Sequence, residues 1–380
     1  MKFSAQRESL LTPLQHVVGA VERRQTSPIL GNVLIEASDG TDDSTDASGG
    51  AGQVVLTATD AEIEMQARCA LHVDEGGEIT VPARKLLEIG RHLPDSAQVD
   101  FESNGEKALF KSGRSRFTLA TLPAVEFPKV DALEGPQEVT LKAAELHQCI
   151  RGTAFSMAQQ DVRFYLNGML LEIGDAQLSC VATDGHRLAY ARCETEASSS
   201  EPIRAIVPRK SVGELQRLLG TLEEDEAVRL AVTPQHLQVH VGDVRLTTKL
   251  IDGRFPDYDR VIPVDGNKEL TIDCTMLRQS LTRASVLSNE KYRGVRMALS
   301  DGVLTISSNN PDQEEAIDEL EVEYVGESAE IGFNVTYLLD VLGAIDAVNA
   351  RIRLKDGASS VLITPESTSD TKYVVMPMRL

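Results

Sequence analysis

The sequence predicts an α+β chain of three repeated domains, each built from antiparallel sheet with two helices packed against it. Three observations carry this. Landmark segments return about every 125 residues, runs with apolar residues at alternate positions dominate, and each copy holds stretches with apolar residues three and four apart. A chain of 380 residues has room for two or three cores. With 42% apolar residues, only 4% aromatics and no Trp, those cores must be aliphatic.

The first landmark is a short strand feeding a helix. Ile79-Thr80-Val81-Pro82-Ala83-Arg84-Lys85-Leu86-Leu87 returns as Ala205-Ile206-Val207-Pro208-Arg209-Lys210-Ser211-Val212, and a degenerate copy reads Glu330-Ile331-Gly332-Phe333-Asn334-Val335. The second is Leu56-Thr57-Ala58-Thr59-Asp60, matched by Cys180-Val181-Ala182-Thr183-Asp184, with Thr305-Ile306-Ser307-Ser308-Asn309 where a third belongs. The third is a strand ending in an aromatic or Met before Pro: Phe127-Pro128, Phe255-Pro256 and Met376-Pro377. Polar Gly/Pro segments near 132–138 and 263–268 divide the chain into domains 1–134, 138–263 and 267–380.

Within a copy, Ile63, Met65, Ala67 and Cys69 alternate with Glu62, Glu64, Gln66 and Arg68, which puts one strand face inward and the other in water. Leu146-Cys149-Ile150 and Leu277-Leu281-Ala284-Leu287 have helical spacing, the latter in a helix expected over 275–287. Two helices per copy make six.

Basic residues number 38 and acidic ones 58, a net charge of −20. Averaged over the surface, that opposes phosphate binding. The placement of the cations reverses the reading. Arg84 and Arg91 are seven apart and share a helix face, as do Lys210 and Arg217 in the next copy. Arg278 and Arg283 lie on a helix without acidic residues, and Lys142 and Arg151 bracket another. A solvated helix face accounts for any one pair. Recurrence at matching positions points to a helix-lined basic surface that grips phosphates without reading sequence. The third copy departs from this, with neutral Thr336 and Gly343 at the equivalent positions.

Catalytic vocabulary is missing: GxxxxGK[ST], HExxH, GxSxG and GxGxxG are all absent. Asp184 and His186 offer one acid–base pairing, but Thr59-Asp60 occupies the matching turn without a His, which favours a turn role for the Asp. Cys69, Cys149, Cys180, Cys193 and Cys274 contain no CxxC pair, so no disulfide framework, metal site or cofactor is expected, and a reducing cytoplasm fits. No apolar run approaches 18 residues and the N-terminus lacks a secretory core, so no membrane is involved. The acidic segment 39–52 resembles a calcium loop only superficially: from Asp42, the sixth position is Ala47 and the twelfth Gln53. It reads as a flexible hairpin tip.

Several runs together resemble one family over nearly the whole chain, the bacterial DNA polymerase III beta subunit, or sliding clamp. They are Ser27-Pro28-Ile29-Leu30-Gly31-Asn32, Thr80-Val81-Pro82-Ala83-Arg84-Lys85, Ser112-Gly113-Arg114-Ser115-Arg116-Phe117, Thr183-Asp184-Gly185-His186-Arg187-Leu188, Asp252-Gly253-Arg254-Phe255-Pro256-Asp257-Tyr258 and Tyr373-Val374-Val375-Met376-Pro377-Met378-Arg379-Leu380. The segment 39–52 is longer and more acidic than the family's usual hairpin.

The resemblance implies a non-enzymatic processivity subunit: a head-to-tail homodimer whose six domains close a ring around duplex DNA, helices inside and sheets outside, in the nucleoid-associated cytoplasm. Domains of about 127 residues have a radius of gyration of roughly 14 Å, and six on a hexagon leave a hole about 36 Å wide. Implied partners are DNA of any sequence and, through a short peptide motif, the replicative polymerase, the clamp loader, other polymerases and repair proteins. The alternative is a monomeric scaffold that binds proteins without encircling DNA.

The implied DNA-facing residues are Arg24, Arg84, Arg91, Gln160, Arg209, Lys210 and Tyr292. The implied peptide pocket comprises Leu166, Thr183, Gly185, His186, Arg187, Leu188, Pro256, Arg260, Val261, Asn334, Tyr337, Val374, Met376, Pro377, Met378 and Arg379. The implied dimer seam sets Lys107, Arg114, Phe117 and Leu119 of one copy against Val286, Leu287, Glu314, Glu315 and Asp318 of the other, with Ile317 interrupting the acidic rim. Adaptable Met side chains suit a groove shared by several peptides.

Overall fold

The computed structural model describes residues 1–21, 27–39, 52–196, 201–368 and 370–379. Most of the acidic segment (40–51) and Arg24 lie outside the described residues. Six α-helices occur among the described residues, two per repeat: α1 (Arg7–Val17), α2 (Ala83–His92), α3 (Ala143–Thr153), α4 (Arg209–Leu219), α5 (Cys274–Ser285) and α6 (Val335–Ala344). The recurrent strand–Pro–helix landmark yields α2 and α4, which begin directly after Pro82 and Pro208. Side-chain caps start the helices of the third repeat. Asp273 accepts from the Met276 amide at 2.7 Å, and Asn334 from the Thr336 amide at 2.9 Å.

Contacts divide the chain into two compact units. One comprises Met1–Ala143 and Arg217–Leu250, the other Ala144–Gln216 and Ile251–Leu380. The first holds a five-stranded sheet in the order His72–Glu75, Lys2–Gln6, Gln98–Ser103, Lys107–Ser112, Ser115–Ala120. It also holds an eight-stranded sheet: Gln137–Lys142, Ala227–Val232, His236–Val241, Val244–Lys249, Ile63–Ala70, Gln53–Thr59, Asn32–Ser38, Gly77–Pro82. In the second unit, eight strands run Ile203–Pro208, Gly168–Gly174, Gln177–Thr183, Arg187–Glu194, Thr371–Val375, Val361–Pro365, Asn349–Leu354, Lys268–Asp273. Its four-stranded sheet runs Glu315–Glu321, Val303–Asn309, Gly294–Ser300, Ala329–Asn334.

Each eight-stranded sheet is continuous across a repeat border. In the first, Val244↔Ala67 to Thr248↔Ile63 pair antiparallel; in the second, Arg187↔Val375 to Ala191↔Thr371 do the same. Strands of the middle repeat therefore serve both units, because backbone pairing continues past the sequence borders near 134–138 and 263–267.

The cores are mainly aliphatic, with a few aromatic side chains at their centres. In the first unit α1 packs on α2, burying Leu10, Leu14, Val17, Leu86 and Leu87, while Phe3 stacks on Phe101 with ring centres 4.9 Å apart. In the second, α5 and α6 bury Leu277, Leu281, Leu338 and Val341 in one cluster with Phe333 and Tyr373.

Local expectations shift in three places. α5 stops at Ser285, so Leu287 lies beyond the helical stripe. Phe127 follows a short 3-10 turn, Ala124–Glu126, and Phe255 sits in a loop; of the three X-Pro landmarks, the Met376 one directly follows a strand. Glu64, expected in water, is only 2% exposed. The chain passes over that outward face: Glu64 Oε2 accepts from the Val130 amide at 3.0 Å, and Oε1 lies 3.4 Å from the Arg245 guanidinium. Burial raises its carboxyl above the usual range, against the opposing pull of those two partners.

Candidate functional site

The Thr183–Arg187 turn organises a cleft of about 270 Å³ in the second unit. Its sequence folds locally for a clear reason. Asp184 Oδ1 accepts from the His186 and Arg187 amides at 2.9 and 3.0 Å, the Thr183 hydroxyl donates to the Arg187 carbonyl at 2.6 Å, and the Gly185 amide donates back to that hydroxyl at 3.1 Å. Gly185 has φ +87°, a left-handed conformation that glycine adopts without strain, and it leaves room for the end of the Arg163 side chain beside it.

Arg187 is 10% exposed and braces the cleft from below. Its Nε donates to Asp184 Oδ2 at 3.1 Å, Nη1 to Asp340 Oδ2 at 2.5 Å, and Nη2 to the Phe155 carbonyl at 2.9 Å. The guanidinium also lies 4.6 Å from the Tyr337 ring centre and 5.3 Å from that of Phe155. With both Asp184 oxygens committed to the turn and Arg187, and the His186 ring stacked 6.4 Å from Tyr337, this turn holds no oriented acid–base pair.

The cleft floor is apolar. Leu166, Leu188 and Val374 are buried, while Pro256, Val261 and Met376 present walls, the last two each 45% exposed. The Met376 amide donates to the His186 carbonyl at 2.9 Å, which ties the C-terminal strand end to the turn. Tyr258 donates to Glu172 Oε2 at 2.7 Å; burial, then that hydrogen bond, pushes its phenol well above the ordinary range.

The structure thus brings Leu166, Thr183, Gly185, His186, Arg187, Leu188, Pro256, Val261, Val374 and Met376 onto one lining. Tyr337 borders it by stacking on His186, and Asn334 caps α6. Arg260, Pro377, Met378 and Arg379 do not line it. Arg260 pairs with Asp257 at 2.7 Å, and the Met378 amide donates to the Gly332 carbonyl at 2.7 Å. Sequence reasoning missed Arg163, Tyr165 and Tyr258, which also line the cleft. The run Asp161-Val162-Arg163-Phe164-Tyr165-Leu166 carries a signal, two aromatics and an Arg just before the buried Leu166; Tyr258 closes the 252–258 run. Arg163 is held by Asp161, whose carboxyl its hydrogen bonds lower to about 2.

The helical cations lie where amphipathic spacing puts them. Arg84, Arg91, Arg209 and Arg217 are exposed, and Lys210 is half-exposed. Two of them share a device. Arg84 donates to the Val21 carbonyl at 2.9 Å and Arg209 to the Met157 carbonyl at 2.6 Å; each acceptor follows the 3-10 turn that ends the repeat's first helix. Each guanidinium is thereby aimed while part of its fork stays open. Gln160 is exposed in a loop at φ +57°. Tyr292 is 56% exposed, with the Lys291 ammonium 5.2 Å from its ring centre.

Two of the strands that end their sheets, each with one side paired among the described residues, differ in charge. Ser115–Ala120 closes the five-stranded sheet and Glu315–Glu321 the four-stranded one. Near the first edge, Lys107 and Arg114 are exposed and Phe117 is half-buried, whereas Leu119 is 6% exposed and packs into its own sheet. Along the second, Glu314 and Glu315 are exposed and Ile317 is 61% exposed. Asp318 does not continue that acidic row. Strand alternation turns it to the opposite face, where Arg283 holds it at 2.6 Å, and the outward row runs Glu315, Ile317, Glu319, Glu321. Val286, 75% exposed, and half-buried Leu287 follow α5.

No helix among the described residues is long and apolar enough to cross a membrane, and none of their His, Cys, Asp and Glu side chains form a group of three placed to hold a metal ion.

Three family models match in succession: the DNA polymerase III beta subunit N-terminal domain over residues 1–131, its central domain over 140–257, and its C-terminal domain over 259–379. The chain is 48% identical to the beta sliding clamps of Pseudomonas aeruginosa and Escherichia coli, with both chains covered in full in each comparison. A crystal structure of the P. aeruginosa DNA polymerase sliding clamp matches with a TM-score of 0.91 over all of both chains, and the Caulobacter crescentus polymerase III beta structure with 0.89 at 38% identity over the same full coverage. Three matched domains in order, full-length identity and a shared fold agree: the chain belongs to the DNA polymerase III beta subunit family, the non-catalytic sliding clamps of replication.

Proposed function

We propose that two copies of this chain join head to tail into a ring that encloses duplex DNA and tethers DNA-processing proteins through the 183–188 cleft. The observation that carries the ring is the pair of unlike sheet edges. One edge strand is basic, with Arg116 on it, Arg114 in the turn before it and Lys107 on the adjoining strand; the other is acidic, with Glu314, Glu315, Glu319 and Glu321 around exposed Ile317. Unlike edges cannot satisfy one another in a twofold self-complementary contact, but they suit a heterologous one that closes by repetition. Strand pairing across the seam would satisfy both rows of open backbone groups.

Inside such a ring, Arg84, Arg91, Arg209 and Lys210 would hold phosphates loosely and without base readout, with Gln160, Tyr292 and Arg24 as further contacts. Grip then comes from enclosure, and the net charge of −20 keeps DNA off other surfaces. The cleft, apolar with two Tyr walls and an exposed Met, suits short apolar peptide segments from several clients. A P. aeruginosa clamp has been solved with griselimycin bound, and this cleft is where we place a comparable ligand here.

The domain limits we retain are 1–134, 138–263 and 267–380. The deciding experiment is retention on DNA after loading: the ring stays on a closed circular plasmid and is lost when the plasmid is linearised. Equal retention on both, or a single species of 41.3 kDa in sedimentation at micromolar concentration, would favour the monomeric scaffold.

A further inference from the structure

Three of the five cysteines converge in the second unit. Cys149 lies on α3, Cys180 on the strand Gln177–Thr183, and Cys193 near the end of the neighbouring strand Arg187–Glu194. Spacing hid this convergence: 149 and 193 are 44 positions apart, with no motif between them. In the fold, the Cys149 and Cys193 sulfurs are 3.6 Å apart, in direct contact. Cys149 is 1% exposed, whereas Cys193 is partly exposed and so the more accessible of the two. The neighbourhood is anchored. Cys193 Sγ lies 3.8 Å from the Glu145 carbonyl of α3, and the Thr195 hydroxyl donates to Glu145 Oε2 at 2.9 Å.

We propose that Cys149 and Cys193 form a reversible oxidative cross-link between α3 and the strand that begins at Arg187, with hydrogen peroxide as oxidant. The accessible Cys193 thiolate attacks the peroxide, the O–O bond breaks, and Cys193 becomes a sulfenic acid while hydroxide leaves and takes up a proton. Cys149, already in contact, then attacks the sulfenic sulfur; the S–S bond forms, the S–O bond breaks, and water leaves with the Cys149 proton. In sum two thiols lose two electrons and two protons, and the peroxide becomes two waters. A dithiol reductant reverses the link by exchange. Closing the pair to a disulfide brings the sulfurs from 3.6 Å to about 2.05 Å, a movement of about 1.5 Å.

The pair is placed to respond slowly. The hydrogen bond with Cys149 and burial push the Cys193 thiol up, with the charges of Glu145 and Asp370 adding to the effect; Arg192, beside Asp370, is engaged by it at 2.9 Å. Thiolate is scarce at neutral pH, so the link accumulates under sustained exposure to oxidant and faster in alkaline buffer. Cys69, in the first unit, and Cys274, on α5, serve as internal controls.

The test uses the full-length chain in native buffer, treated with hydrogen peroxide at neutral and alkaline pH, quenched with an alkylating agent, and mapped by peptide mass spectrometry. We expect one cross-linked peptide pair joining Cys149 to Cys193, two mass units below the reduced sum, reversed by dithiothreitol and formed at least several-fold faster at the higher pH. The Cys180→Ser variant should form the same link at a similar rate. The Cys149→Ser variant should instead carry Cys193 onward to sulfinic acid, a gain of two oxygens, for want of a resolving thiol. Cross-links through Cys180, links between chains, over-oxidation of Cys193 in the unmodified chain, or alkylatable thiols at both positions after treatment that oxidises the unfolded chain would each overturn the proposal.

Discussion

Replacing Arg187 with Ala isolates the brace beneath the cleft. The side chain makes three charge-assisted hydrogen bonds, to Asp184, Asp340 and the Phe155 carbonyl, and lies against two rings. Bonds to charged groups contribute about 1.5 to 3 kcal/mol each where shielded. Asp340 is 37% exposed, so its share falls to about 1 kcal/mol or less. Asp184, 16% exposed, keeps its two backbone donors and loses only its Nε partner. The terms share one guanidinium and do not add in full; a total near 3 kcal/mol is consistent with the effect of removing one partner from a buried pair, about 3 to 5 kcal/mol. Because the full chain holds several cores, global melting is a poor readout, and hydrogen exchange of the paired strands Arg187–Glu194 and Thr371–Val375 reports local opening directly. The prediction is exchange faster by roughly 100-fold at Leu188, Ala189 and Val374, with the five-stranded sheet unchanged. A change below threefold, or an equal effect on both sheets, would refute the bracing role.

Arg91→Ala should lower the salt slope of duplex binding by about 0.9 for each phosphate the side chain no longer neutralises, equally on unrelated sequences; a slope that stays put, or a sequence preference, removes Arg91 from the DNA surface. Ile317→Arg should weaken self-association by about 2 kcal/mol or more, read as a 41.3 kDa species in sedimentation at micromolar concentration, with thermal stability unchanged because the side chain is already 61% exposed. For Glu64 the sign follows from its raised carboxyl: the folded state binds the proton more tightly, so this residue's contribution is most favourable at pH near or below the unfolded value of about 4.3 and is lost as pH rises through the folded one. Glu64→Gln, which keeps an acceptor for the Val130 amide, should gain stability relative to the unmodified chain as pH rises from about 4 to 7 in parallel thermal melts; a pH-independent difference would place its origin elsewhere.

Sequence periodicity carried the secondary structure because it reports a local physical demand, burial of one face. It yielded the three repeats and the count of two helices in each. It failed where a later segment covers an outward face, as at Glu64, since alternation cannot register a chain passing overhead. The compact units escaped it too: ladders between Val244–Lys249 and Ile63–Ala70, and between Arg187–Glu194 and Thr371–Val375, join segments more than 170 positions apart. Of the cleft, the turn and the terminal strand were legible through their motifs. Tyr165 was not, because an aromatic beside a buried Leu has the same pattern whether it fills a core or walls a groove, and neither was Tyr258, set between two Asp as any surface aromatic could be.

The two copies of the Thr-Asp turn show how the cleft is built on a structural repeat. In the first unit, Asp60 Oδ1 accepts from the Glu62 and Ile63 amides at 2.8 Å each, the Thr59 hydroxyl donates to the Ile63 carbonyl at 2.8 Å, and Ala61 takes φ +76°. Thr183, Asp184 and Gly185 reproduce that geometry bond for bond. What differs is what the turn presents. Buried Ile63 is replaced by Arg187, whose fork reaches Asp340 and the Phe155 carbonyl, and Glu62 by His186, whose ring stacks on Tyr337. In the third repeat the turn is wider: Asn310, one position beyond the spacing the sequence repeat implies, holds the amides two and four positions on, of Asp312 and Glu314. The hydrogen-bonded turn is therefore the mechanical part that the first two repeats share, and the cleft arises from two substitutions on it that recruit α6. Restoring an apolar residue at 187 should leave the turn's own hydrogen bonds intact while the cleft loses its far wall, which is why the exchange experiment must separate loosening of the strand pair from loss of the turn.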